Sequence, residues 1–156
     1  MPIYNSYRLF EFTGYAFFYK QIIKGPFVKK IITWFLVLFP LYWFVTMFLV
    51  FDITEWVSYL PVLGNVFTVF FAAVYCYELF VSDDLTKFSK SPELWISLGL
   101  IIYYACNLPY EGMLNYLWQN YKPLAKQLVV LLNILNIVMY SMFVYSFLCR
   151  INMEKY

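Results

Sequence analysis

The chain has 156 residues, of which 63% are hydrophobic, 24% aromatic and only 13% charged, with a net charge of +2. Soluble domains carry roughly a quarter charged residues, and a domain this small buries only part of its surface, so this composition calls for lipid around the fold. The small, unclustered positive charge excludes the footprint of a nucleic-acid partner.

Residue types narrow the chemistry further. There is no histidine, which removes the commonest general base and the commonest metal ligand. Cys76, Cys106 and Cys149 lie in apolar runs without the spacing of a disulfide framework or a metal motif. Phosphate-loop, dinucleotide-binding, nucleophile-elbow and zinc signatures are missing. No enzyme activity, metal or cofactor is expected.

The first residues, Met1-Pro2-Ile3-Tyr4-Asn5-Ser6-Tyr7-Arg8, do not form a cleavable signal peptide, so an uncleaved first helix is expected to target the protein. Leu9–Ile23 is aromatic on every side but interrupted by Glu11 and Lys20. It fits a short span whose charges lie near its ends, or a helix lying in the interface. The spread of apolar residues around the helix favours the span.

Four uncharged stretches follow, at Ile31–Phe51, Val57–Tyr77, Leu94–Tyr110 and Gln127–Cys149. About 20 apolar residues cross a hydrocarbon core of roughly 30 Å. The expected fold is therefore an all-α integral membrane bundle: four transmembrane helices plus a fifth, N-terminal helix that is transmembrane or interfacial. The helices should cover about 7–25, 30–51, 56–81, 92–112 and 126–150 of a single domain, 1–156. Gly25-Pro26 closes the first element, Ser91-Pro92 opens the fourth, and Pro40 and Pro61 should bend the helices that contain them.

Short cytoplasmic loops collect Lys and Arg. Lys20, Lys24, Lys29, Lys30, Lys87, Lys90, Arg150 and Lys155 fall on one side, against Lys122 and Lys126 on the other. This bias puts the 20–30 turn, the 82–92 loop and the C-terminus in the cytoplasm, with the protein in the inner membrane. Trp56, Tyr110, Tyr116, Trp118 and Tyr121 then form an outer aromatic belt.

Polar residues inside apolar segments mark the candidate site. Glu11 should pair with Arg8 at i,i+3 spacing, and Glu78 should snorkel or pair with a nearby lysine. Asn107, Glu111 and Asn115 are spaced by four, and Asn133, Asn136 and Tyr140 form a matching stripe on the last span. Amides in lipid seek partners, and an ionisable residue there is a functional candidate. Asn107, Glu111, Asn133, Asn136 and Tyr140 are therefore expected to form one polar cluster or ligand site, with interhelical structural bonding as the alternative.

The runs Trp95–Tyr104 through Asn107-Leu108, and Asn133-Ile134-Leu135-Asn136-Ile137, with Glu11-Phe12, Phe18-Tyr19 and Lys29-Lys30, resemble membrane regions of multi-pass proteins and of sensor histidine kinases from Bacteroidetes-type bacteria. The resemblance implies a sensory or input unit whose output comes from a partner. Short tails favour an accessory subunit, working with other membrane proteins or as a homo-oligomer. A small transporter or channel using the polar stripes is the alternative.

Overall fold

The computed structural model describes residues 2–47, 59–82 and 91–153, with side chains over 6–47, 61–82 and 91–149. Five helices make up these segments: α1 (Pro2–Ile22), α2 (Pro26–Val45), α3 (Tyr59–Val81), α4 (Pro92–Asn120) and α5 (Lys122–Met153). The Asp52–Glu55 turn, Trp56, Lys87, Lys90 and Lys155 lie outside the described residues.

Three helices, α2, α3 and α5, are long and apolar enough to cross a membrane, and they make the chain a membrane-embedded, all-helical protein. This corrects the expected count of four, because the Leu94–Tyr110 stretch belongs to a helix that does not meet that criterion. The reason lies in where its polar residues go. The buried positions of α4 are Leu94, Ser97, Gly99, Leu100, Tyr104, Asn107, Glu111, Leu114 and Leu117. Apart from Gly99, their spacing of three and four makes one face of a helix. Ser97, Asn107 and Glu111 thus point into protein, while Asn115, Gln119 and Asn120 near the end of α4 are exposed.

Helix α1 obeys the same rule. Arg8, Phe12, Ala16 and Tyr19 are buried at successive i+4 and i+3 steps, followed by Ile23 just past its end. Helix α1 packs on α2 and α3, while α4 packs on α3 and α5. Rings from four helices interlock in the core. Phe12 meets Phe39 edge-on at 5.8 Å and Tyr104 at 5.9 Å, and Phe35 stacks on Phe39 at 4.9 Å. Offset and edge-on pairs of this kind contribute about 0.5–1.5 kcal/mol each beyond area burial. Part of the aromatic content is therefore core. Tyr116, Trp118 and Tyr121 stay exposed around the α4–α5 turn, as a belt requires.

Two glycines permit close approach. A Cβ on Gly64 would run into the Phe12 ring, and one on Gly99 would stand 3.4 Å from the Met139 carbonyl oxygen. The first holds α3 against α1, and the second holds α4 against α5.

The connections are tighter than the sequence indicated. Helix α4 continues through Pro109 to Asn120, and α5 starts at Lys122, so the expected 111–126 connector is helical on both sides of Tyr121. Proline removes one backbone donor, and here that single loss does not end the helix. Pro61 falls in the first turn of α3, where a proline leaves no helical bond unmade, so the bend expected there has no cause. Pro40 does lie inside α2.

Among the described residues Glu78 forms no ion pair with a lysine. Its carboxylate accepts the backbone N–H groups of Lys24 (2.7 Å) and Gly25 (2.8 Å), just ahead of α2. Gly25 at the N-cap has no side chain to do this, so the Glu78 carboxylate from α3 caps α2 and complements the positive end of its dipole. Ser91 holds the N-cap position of α4 with Pro92 following, yet its hydroxyl donates to the Glu93 carboxylate (2.8 Å) and lies 3.0 Å from the Tyr75 hydroxyl.

Candidate functional site

An ion network links α1 to α4. The Arg8 guanidinium donates from Nη1 to Glu11 Oε2 and from Nη2 to Glu111 Oε1, both at 3.2 Å. The first bond is the i,i+3 pair read from the sequence. The second joins residues far apart in the chain, and nothing in the local pattern announces it. The two carboxylates are served unequally. Glu11 also accepts the Tyr104 hydroxyl at 2.7 Å and the Tyr7 hydroxyl at 3.5 Å. Glu111 Oε2 and Asn107 Nδ2, one turn apart, are both buried away from any third partner, and the two side chains interact with each other.

Beside this network lies a cavity of about 530 Å³ between α1, α4 and α5. Arg8, Asn107, Glu111, Asn115 and Asn133 supply its polar lining, while Tyr103, Tyr110, Leu114 and Trp118 are among its aromatic and apolar walls. Three of the five expected site residues, Asn107, Glu111 and Asn133, thus share one cavity.

Asn136 and Tyr140 are not among its lining residues, although Tyr140 hydrogen-bonds with Tyr7, which donates to Glu11. The cause is the register of the antiparallel pair. Gly99 lies against Met139, and Trp95 packs on Tyr145 with ring centroids 4.7 Å apart. In that register Asn136 falls level with Tyr103, one turn below Asn107, and Tyr140 falls near the level of Gly99. Asn107 is also deeper than expected. With α4 running to Asn120, it lies about 20 Å from the helix end at 1.5 Å per residue.

Arg8 and Tyr104 are the members the sequence did not assign to this site. The available signal was a lone arginine on a helix otherwise rich in aromatics, four residues from the buried Phe12. Among the described residues no group of three or more His, Cys, Asp or Glu side chains is placed to hold a metal ion.

Chemically the arrangement offers a fixed guanidinium, a buried carboxylate with an amide beside it, and aromatic walls. It can recognise a polar group and hold an apolar body beside it. Comparison of the chain with protein-family models, curated proteins and solved structures finds no match.

Proposed function

We propose that this protein is a non-enzymatic module of the inner membrane, a sensory or accessory unit, in which the α1–α4–α5 cavity is the ligand site. One observation carries the reading: Glu111 is 3% exposed, ion-paired to Arg8 and set against the Asn107 side chain, at the wall of a cavity. A buried ion pair is a poor source of stability, since apolar residues of similar volume often do as well or better. A ligand role gives that burial a use.

In this reading the helices pass through the membrane with the C-terminus in the cytoplasm, as the distribution of lysine and arginine favours. The partner is another membrane protein or a second copy of the chain. Native mass spectrometry of gently solubilised protein tests the assignment. Retention of a small molecule or a fixed partner by the natural protein, and loss of the small molecule in Glu111→Gln, is the expected result. Saturable solute flux in proteoliposomes would replace this reading with a transporter. The cavity lining favours that second reading to the extent that it runs along α4 from Trp118 to Tyr103, about 22 Å. A cysteine placed at Ser89 or Tyr156 should resist an impermeant reagent in intact cells; labelling from outside reverses the orientation.

A further inference from the structure

We infer that the Arg8–Glu11–Glu111 network is a proton-binding site, in which two carboxyl groups on one guanidinium hold one exchangeable proton beside the α1–α4–α5 cavity. The inference rests on the network alone and needs no occupant in the cavity.

A count of charges carries it. Arg8 Nη1 bonds Glu11 and Arg8 Nη2 bonds Glu111, and among the described residues no second cation pairs with either carboxylate. The three side chains are 10%, 8% and 3% exposed. With both carboxyls ionised, one positive charge would face two negative ones in this interior. A buried charge without a partner is so costly that the group takes up a proton instead. Carboxyl groups that share a site ionise one at a time for the same reason, and they titrate as a pair. One proton therefore stays with the network.

The surroundings suit one ion and one acid. Glu11 accepts the Tyr104 hydroxyl at 2.7 Å and the Tyr7 hydroxyl at 3.5 Å, besides Arg8, as an ionised carboxylate does. Glu111 meets the Asn107 side chain. An amide donates through nitrogen and accepts through oxygen, so it serves a carboxylate or a carboxylic acid equally. The other titratable groups facing the network are Tyr7 and Tyr15 on α1, Tyr104 and Tyr110 on α4, and Tyr140 on α5. All are phenols, neutral at ordinary pH, so none of them balances the second carboxylate. Arg8 and Glu111 line the cavity, which gives the proton a route. It passes from water in the cavity to a carboxylate oxygen and returns the same way, with no other bond changed.

Infrared difference spectroscopy of the protein in phosphatidylcholine nanodiscs tests this, with steps in pH and a repeat in heavy water. It counts protonated carboxyls by their carbonyl stretch, which lies apart from the carboxylate bands. The natural protein should show one at neutral pH, lost as the pH is raised. Glu11→Gln and Glu111→Gln should each remove it, because a single carboxylate then balances Arg8. Arg8→Met should show two. Glu93→Gln, at the other end of α4, should leave the signal unchanged.

Absence of a protonated carboxyl from the natural protein at neutral pH would overturn the inference, and that measurement needs no variant to fold. A signal lost in only one of the two glutamine variants would replace the shared proton with a lone buried acid. A signal kept in both would put the proton outside the network. Retention of a small molecule in native mass spectrometry bears on the cavity alone, so the two readings fail separately.

Discussion

Helix α5 contains the most apolar stretch among the described helices, yet only 6% of that stretch is buried. Ile137, Val144 and Phe147 on it are each at least 60% exposed. Helix α1 carries Arg8 and Glu11 and is too polar to count as a span by composition, yet Phe12, Ala16 and Tyr19 are among the most buried side chains. In a soluble protein the ranking would be reversed. Where the solvent is hydrocarbon, apolar residues can face outward at no cost, and the interior is where polar groups find partners. Hydropathy in this chain therefore reports contact with lipid and not membership of the core.

The sharpest way to break this comparison is to remove the charge at the centre. Arg8→Met leaves Glu11 and Glu111 buried together without their shared cation, and loss of one partner from a buried pair costs about 3–5 kcal/mol. Unfolding measured in mixed micelles should show a loss of that order; a loss under 1 kcal/mol would mean the network is solvated and α1 is not an interior helix. Next in size is Ile137→Lys on the outer face of α5, where a charge at the centre of a span costs about 3 kcal/mol for insertion. Normal insertion of this variant would show that water or protein, and not lipid, covers that face.

Gly64→Ala presses a methyl group into the Phe12 ring, which Phe39 and Tyr104 hold from other sides. Overpacking of this kind costs about 1–3 kcal/mol. An unchanged unfolding midpoint would contradict the α1–α3 contact. Glu78→Ala strips the cap from α2 and should cost about 0.5–2 kcal/mol, with faster hydrogen exchange of the Lys24 and Gly25 amides. Ile137→Ala should be the mildest, within about 0.5 kcal/mol, because its side chain exchanges one apolar contact for another. A larger effect would place a partner against α5.

Much of the architecture was legible from composition and pattern. The helical segments, the Arg8–Glu11 pair, the Gly25-Pro26 break and the polar spacing of Asn107 and Glu111 all follow from rules that act within one or two helical turns. The helix lengths were less legible. The polar run from Glu111 to Asn120 looked like a connector because it is poor in lipid-compatible residues, and within it Glu111, Leu114 and Leu117 continue the buried face of α4.

The sequence by itself determined that this chain folds as helices in a membrane, since only intrahelical hydrogen bonding satisfies so apolar a backbone there. It also determined which residues are costly to leave in lipid. Tertiary structure alone decided where those residues spend their charge. Arg8 reaches Glu111 across 103 positions of sequence, Glu78 caps a helix 53 positions away, and Gly99 against Met139 sets the register that admits Asn133 to the cavity and leaves Asn136 out. These are contacts between helix faces. Helical periodicity fixes which residues share a face, while the choice of opposing face depends on the packing of the whole bundle.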